Sequence, residues 1–292
     1  MSDNPHAGVP QEFRVPGHQV LTITGRDAAA FAQAQFMNDV AALPVGHWHW
    51  NGWLSPKGRV IALFALLRFD AETLWLILPD ADAESLAGEL RRYVFRSKLT
   101  LAARDDLHAH GRFARPTQAS GATFAIDGDA VELDLGGDGG PRTLRIAPAT
   151  AADDAMAAAH WRRYDLQHGL PRLHGEQVEA WTPQQLSLER LHAFSVKKGC
   201  YPGQEIVART HFLGKAKRGL MRLQGAGIGA PGDVTAGSPG EAAPAGARAI
   251  GQVICAEGDE GLAVMPLDAG DGPFSRDDGI CQPLPLRDGL AR

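Results

Sequence analysis

Residues 197–205 have the sequence KKGCYPGQE, which is the most informative stretch of the chain. Glycines stand on both sides of Cys200 and Pro202 fixes a turn, so we predict that the thiol is presented on a tight loop. The charges of Lys197 and Lys198 favour a thiolate, which is the condition for a nucleophilic or redox-active cysteine. A structural turn whose cysteine packs as a small apolar side chain fits the same residues equally well.

Eight residues of this stretch, KGCYPGQE, and the following IVARTHFLG (residues 206–214) resemble the signature of the YgfZ family. Members of that family are folate-binding proteins related to the glycine-cleavage T protein and implicated in iron–sulfur cluster maintenance. The resemblance covers most of residues 20–222 and, beyond them, only the general plan of the fold. Upstream it includes LTITGRDAAAFAQAQFMNDV (residues 21–40), WLSPKGR (residues 53–59) and RRYVFRSKLTL (residues 91–101).

The resemblance implies an α+β, T-protein-like fold: two folate-binding N-terminal subdomains around a central cavity, followed by a C-terminal β-barrel. We place the first subdomain at residues 1–110, the second at residues 111–213, ending in the cysteine loop, and the barrel at residues 214–292. The local pattern agrees with this plan. Strands alternating with amphipathic helices indicate sheets with helices packed on one face, and short strands with turn-rich connections indicate a small barrel.

Hydrophobic spacing and turn residues also predict individual elements. A helix is expected after a cap at Asp80 or Asp82, and a hairpin turn at residues 127–129. A loop rich in glycine, proline and alanine is expected at residues 225–247. Strands are predicted at residues 19–24, 47–54, 59–69, 73–78, 98–103, 219–224, 249–256, 261–265 and 280–283, and further helices at residues 28–36 and 150–164.

The composition is that of a soluble globular protein, with 44% hydrophobic and 22% charged residues. The three cysteines, at positions 200, 255 and 281, form no disulfide framework, which indicates a reducing compartment. The first residues lack the basic-then-apolar pattern of a signal peptide, and the longest apolar run, residues 60–67, is too short to span a bilayer. We therefore predict a cytoplasmic protein with no membrane partner.

A net charge of −5 argues against direct nucleic-acid binding, but the charge is unevenly distributed. Between Arg190 and Arg222 there are eight lysines or arginines and a single acid, Glu205. This excess fits an anionic ligand, such as a polyglutamate tail or a phosphate; a solvated basic face is the alternative.

Other chemistries find little support. Stable iron–sulfur clusters usually need several thiolates, often at short spacing, so we expect no permanently bound cluster or metal. A transient contact of Cys200 with a cluster, completed by ligands from another protein, stays open. His47 and His49 lack an identifiable third metal ligand. A Walker A sequence and a Gly-x-Ser-x-Gly motif are both absent from the sequence, which weakens the nucleotide-dependent and hydrolase classes.

The resemblance also assigns candidate residues. Cys200 is the candidate catalytic group, and tetrahydrofolate or another reduced folate is the expected cofactor. Iron–sulfur proteins or their assembly factors are the expected partners. The motif loop comprises Lys198, Gly199, Tyr201, Gly203, Gln204 and Glu205, with electrostatic support from Lys197 and Arg209. The candidate folate contacts are Trp48, Trp50, Trp53, Arg96, Lys98 and Gln167, of which the tryptophans are suited to packing against a planar ligand.

Two departures separate the chain from T proteins, which carry an essential aspartate after the third strand. An ungapped comparison places Leu86 at that position, with Glu84 as a weak substitute, and leucine cannot accept a proton. Gln167 stands where relatives often have a glutamate, and it offers one acceptor oxygen where a pterin prefers a carboxylate. T proteins also have aspartate in place of Cys200, so the thiol is typical of the YgfZ branch.

The residues and the family resemblance together leave three candidate functions. The leading one is a folate-binding accessory factor for iron–sulfur cluster assembly or repair, which indirectly affects tRNA modification. Its rival is a tetrahydrofolate-dependent aminomethyltransferase of the T-protein type, against which Leu86 and Cys200 argue. The third is an interaction module whose basic face docks on a protein or RNA.

Overall fold

The computed structural model of the chain describes residues 11–214, 216–236, 248–276 and 279–292. The first part contains β1 (Phe13–Arg14), β2 (Gln19–Thr24), α1 (Ala28–Gln35), β3 (His47–Leu54), β4 (Val60–Arg68), β5 (Thr73–Leu78), α2 (Ala83–Arg91) and β6 (Thr100–Ala103). The middle part contains β7 (His108–Arg112), β8 (Ala125–Asp127), β9 (Ala130–Asp134), β10 (Thr143–Ala147), α3 (Ala155–Gln167), 3-10 turns at Gly175–Gln177 and Leu188–Leu191, and α4 (Gln204–Phe212). The last part contains β11 (Arg218–Gly225), β12 (Gly232–Ala236), β13 (Ala249–Glu257), β14 (Glu260–Pro266), β15 (Phe274–Arg276) and β16 (Gly279–Leu284).

The first antiparallel sheet has the strand order β3-β4-β5-β2-β6, and α1 and α2 cover one of its faces. Helix α2 begins at Asp82, whose carboxylate accepts a hydrogen bond from the Ser85 amide at 2.7 Å. Its residues Leu86 and Leu90, one helical turn apart, are buried beneath it with Phe64 of the sheet. The helices therefore pack on a single face of this sheet, as predicted.

The second antiparallel sheet has the order β1-β7-β10-β9-β8, and its β8–β9 hairpin turns at Gly128, where φ is +60°. Helix α3 begins after Asp154, whose side chain accepts a hydrogen bond from the Ala157 amide. The helix therefore starts later and ends later than the prediction for residues 150–164. A large apolar cluster, which includes Trp50 and Trp161, fills the space between the two sheets.

The third sheet is a closed barrel with the order β11-β14-β13-β12-β15-β16 and a core of its own that includes Val253 and Phe274. The α+β plan with two N-terminal sheets and a C-terminal barrel is thus confirmed. The domain boundaries at residues 110 and 213 stay a prediction. The first part of the predicted loop at residues 225–247 contains the strand β12. Residues 237–247 of this loop lie outside the described residues.

Within the described ranges, no helix is both long and apolar enough to cross a membrane.

Candidate functional site

The cysteine loop lies between the 3-10 turn at Leu188–Leu191 and helix α4, and Cys200 is exposed on it. Tyr201, its neighbour, is buried. Helix α4 starts directly after Gly203, so Gln204 and Glu205 form its first turn. No helix is predicted at these residues from the sequence. Val207 is its only buried residue, so the apolar spacing that reveals most helices is absent here.

Two glycines join this loop to the β3–β4 turn. Gly203 and Gly58 both have positive φ values, +79° and +68°. A Cβ atom on Gly203 would lie 2.7 Å from the Cα atom of Gly58 and 2.7 Å from the carbonyl oxygen of Ser55. The WLSPKGR and KGCYPGQE segments, far apart in sequence, therefore meet backbone to backbone in one site.

Lys198 fixes the loop to the first helix. Its Nζ atom donates to the carbonyl oxygens of Gln33 at 2.5 Å, Phe36 at 2.5 Å and Asn38 at 3.1 Å. Two of these carbonyls belong to the end of α1, where unpaired carbonyl groups favour a cation. The side chain is buried, and burial lowers the pKa of Lys198 to about 8. Its ammonium group is therefore committed to these carbonyls, whereas Lys197 is exposed to solvent.

Further hydrogen bonds fix the shape of the loop. The Gln204 side chain donates to the Lys198 carbonyl at 2.9 Å, and the Tyr201 hydroxyl donates to the Ser195 carbonyl at 3.1 Å. Burial raises the pKa of Tyr201 to about 12, which keeps this donor protonated. Both Glu205 and Arg209 are exposed on α4. Buried side chains of the loop are thus held by hydrogen bonds, while the Cys200 thiol is exposed to solvent.

The three cysteines differ sharply in accessibility. Cys200 is exposed, whereas Cys255 and Cys281 are buried. Burial raises the pKa of Cys255 to about 12, and its Sγ atom lies 3.5 Å from the Arg172 amide nitrogen, which donates to it. Among the described residues, no group of three or more His, Cys, Asp or Glu side chains is arranged to hold a metal ion. Cys200 is the one thiol that an external partner can reach.

The candidate folate contacts do not all lie together. Trp48 and Trp50 are buried, with ring centroids 5.3 Å apart, on the face of the first sheet that points to the second sheet. Trp53 lies on the opposite face, against Tyr93. Gln167 is half-buried at the end of α3. The remaining candidates, Arg96 and Lys98, are exposed in the segment between α2 and β6.

A small central cavity lies between the two N-terminal sheets. Its volume is about 10 Å³, room for a single water molecule. The indole nitrogen of Trp161 and the Nδ1 atom of His18 are buried at its wall without a hydrogen-bond partner. Burial lowers the pKa of His18 to about 3, so its ring is neutral. The wall thus offers polar groups that suit a heterocycle, but the cavity has no room for one in this conformation.

A buried charge cluster that the sequence analysis missed borders the cavity. The Asp165 carboxylate, on α3, accepts from Arg142 at 2.6 Å and from Arg172 at 2.7 Å. Burial opposes ionisation of this carboxyl, but the two arginines lower the pKa of Asp165. Its sequence signal is an acid one helical turn after Trp161, on the buried face of α3. Because Asp165 already has two partners, it holds the second sheet, α3 and the following loop together.

A surface cleft of about 460 Å³ lies on the second sheet. It is lined by Arg115, Pro116, Ala119, Ser120, Asp134, Gly136, Gly137, Gly140 and Pro141. Its volume is within the range of small-molecule sites.

The position that the ungapped sequence comparison aligns with the T-protein aspartate carries a leucine. Leu86 is 5% exposed and packs in the apolar cluster beneath α2. Glu84 is exposed and pairs with Arg91 at 2.8 Å. Neither side chain presents a free carboxylate to the central cavity.

Known proteins resemble the chain in sequence and in fold, although no protein-family model matches it. The "tRNA-modifying protein YgfZ" of Cronobacter sakazakii is 31% identical over 233 residues, which cover 73% of this chain and 70% of that protein. Its counterpart from Aliivibrio fischeri is 26% identical over 288 residues, covering 91% and 89%. The glycine cleavage system aminomethyltransferase T from Bartonella henselae superposes with a TM-score of 0.64 at 15% identity, covering 96% of this chain and 85% of that one. The fold is therefore that of the glycine-cleavage T protein, and the chain belongs to the YgfZ family.

Proposed function

We propose that this protein is a folate-binding accessory factor that supports the assembly or repair of iron–sulfur clusters, and through them tRNA modification, with Cys200 as its chemical group. The observation that carries the proposal is the exposure of Cys200 on a loop whose backbone is fixed by Lys198 and Gly203. The name of the relatives, tRNA-modifying proteins, supports the connection to tRNA.

The chemistry proposed for Cys200 is reversible ligation of a client's iron. The thiol loses its proton to water, the thiolate sulfur forms a bond to iron, and the client or another thiol supplies the remaining ligands. Lys197 is exposed on the same loop and Arg209 is exposed on α4, and positive charge close to a thiol favours its anion. A rigid loop suits this task, because a preorganised ligand loses little conformational entropy on binding.

A reduced folate is the proposed cofactor, and it can bind only after the central cavity has opened. The Trp50 ring, the Nδ1 atom of His18 and the indole nitrogen of Trp161 line the cavity and suit a pterin ring, but the 10 Å³ cavity does not admit one while it is closed. A bound tetrahydrofolate would supply a one-carbon carrier and a reducing ring. The residues of the chain would bind and orient it.

The rival function, aminomethyl transfer, needs a proton acceptor that the sequence comparison does not supply. Leu86, which that comparison aligns with the T-protein aspartate, packs in the apolar core, and Glu84 pairs with Arg91 at the surface. We therefore propose an accessory role rather than that enzymatic activity.

The folate part of the proposal is tested by titrating the purified protein with 5-formyltetrahydrofolate while tryptophan fluorescence is followed. Burial of the pterin and benzoyl rings beside Trp48 and Trp50 predicts saturable binding with micromolar affinity or better, about −8 kcal/mol. An absence of saturable binding at millimolar folate would remove the cofactor from the account. An oxidised pterin without the benzoyl-glutamate tail is the control ligand.

A further inference from the structure

The segment at residues 285–292, which we call the strap, leaves the barrel after β16 and covers the two tryptophans. Leu290 is 1% exposed and packs in the central apolar cluster. The indole nitrogen of Trp50 donates to the Leu290 carbonyl at 2.8 Å. The Arg292 guanidinium lies 5.6 Å from the centre of the Trp48 ring.

Polar contacts hold the strap against the second sheet and α3. The Arg287 amide donates to the Gln167 carbonyl at 2.8 Å, and Arg190 donates to the Asp288 carboxylate at 2.7 Å. Gly289 has a φ of +88°, and a Cβ atom there would lie 2.9 Å from the Cα atom of Gly137. The strap therefore contacts three of the candidate folate residues, Trp48 and Trp50 by their side chains and Gln167 by its backbone.

The strap stands between the surface cleft and the central cavity. Arg292 donates to the carbonyls of Asp134 at 3.0 Å and Gly136 at 2.9 Å, and both residues line the cleft. Leu135, between them in sequence, lines the central cavity together with Trp50. A ligand that moves from the cleft to the tryptophans meets the strap first.

Several of these attachments are weak enough to break. Leu290 is the one fully buried apolar anchor of the strap, and the Asp288 side chain is 81% exposed in its ion pair with Arg190. Exposed ion pairs contribute little to stability. The strap also forms no strand ladder with either sheet. Few buried apolar contacts and exposed polar attachments are typical of segments that open locally.

We infer that the strap is a gate: it closes the central cavity in the free protein, and a reduced folate enters from the cleft by displacing it. This inference rests on the folate binding proposed above. In the open state the pterin packs against Trp48 and Trp50, in the space that Leu290 vacates. The carboxylates of the glutamate tail pair with Arg115, which is exposed in the cleft.

The test combines hydrogen exchange and stopped-flow binding on the full chain, with 5-formyltetrahydrofolate as the probe. Saturating probe should remove the protection of the amides of Arg287 and Asp288. The Asp288→Ala variant, which loses the ion pair with Arg190, should bind about twofold faster, since a larger fraction of the protein is open. Asp106→Ala, which removes the exposed ion pair with Arg104 in the connection between β6 and β7, is the matched control and should bind as the wild type does.

The outcomes distinguish a failure of the gate from a failure of the proposed folate binding. Binding with unchanged or increased strap protection, at equal rates in wild type and Asp288→Ala, overturns the gate and leaves folate binding intact. An absence of binding in the wild type overturns the proposed folate binding, and the gate with it.

Discussion

Gly203→Ala should disrupt the candidate site from within its backbone. The new Cβ would lie 2.7 Å from both the Gly58 Cα atom and the Ser55 carbonyl oxygen, and these are backbone atoms that cannot rotate away. A left-handed conformation costs alanine about 1–2 kcal/mol, and forced overlap in a packed region typically adds about 1–3 kcal/mol. The expected loss of stability is therefore about 2–5 kcal/mol.

Thermal unfolding followed by circular dichroism measures this loss, and the midpoint should fall by roughly 3–8 °C. Gly199→Ala is the matched control in the same motif, because no atom lies within 4 Å of a Cβ at that position. Its unfolding free energy should change by less than about 0.5 kcal/mol. Equal midpoints for Gly203→Ala and the wild type would refute the tight contact between the loop and the β3–β4 turn.

Three further predictions concern the anchor, the buried histidines and the rival activity. Lys198→Met leaves three carbonyls without their charged donor and should lower the free energy of unfolding in urea by about 3 kcal/mol. Lys198→Arg should recover part of this loss. An unchanged free energy of unfolding in Lys198→Met would show that this anchor is dispensable. Burial lowers the pKa values of His49 and His168 to about 4, so below pH 6.5 the unfolded chain binds protons that the folded chain does not. The unfolding free energy should therefore fall by about 1.4 kcal/mol per histidine between pH 7.5 and 5.5, and a rise over that interval would contradict their neutral burial. The protein should form no methylenetetrahydrofolate with the other glycine-cleavage components, since Leu86 cannot accept a proton; robust product formation would favour the aminomethyltransferase.

Local patterns predicted many of the individual elements, whereas the arrangement of the subdomains was implied by the family resemblance. The strands Gln19–Thr24, His47–Leu54 and Thr73–Leu78 have the predicted bounds, because each is an apolar or alternating run between turn residues. Helix α4 was not predicted because it buries only one side chain. The strand predicted at residues 98–103 begins only at Thr100, because the Lys98 amide donates a hydrogen bond to the Asp27 carboxylate and not to a neighbouring strand.

Contacts between distant residues explain what sequence reasoning could not reach in the site. The thiol on a glycine loop follows from neighbouring residues, whereas the Gly58–Gly203 contact and the carbonyl cradle of Lys198 depend on how three segments meet. Likewise, no local pattern indicates that Leu290 covers Trp50. The assignment of the tryptophans as folate contacts stays a prediction.

Support of iron–sulfur enzymes in cells that lack the native protein tests the central role of Cys200 most directly. Cys200→Ala and Cys200→Ser should retain the wild-type unfolding midpoint, since the side chain is exposed, yet both should fail to restore the activity of cluster-dependent enzymes. A hydroxyl stays protonated near neutral pH and cannot replace a thiolate. Cys255→Ala, which removes a buried thiol, should restore that activity and serves as the control. Normal restoration by both Cys200 variants would contradict the account and reduce the loop to a structural turn.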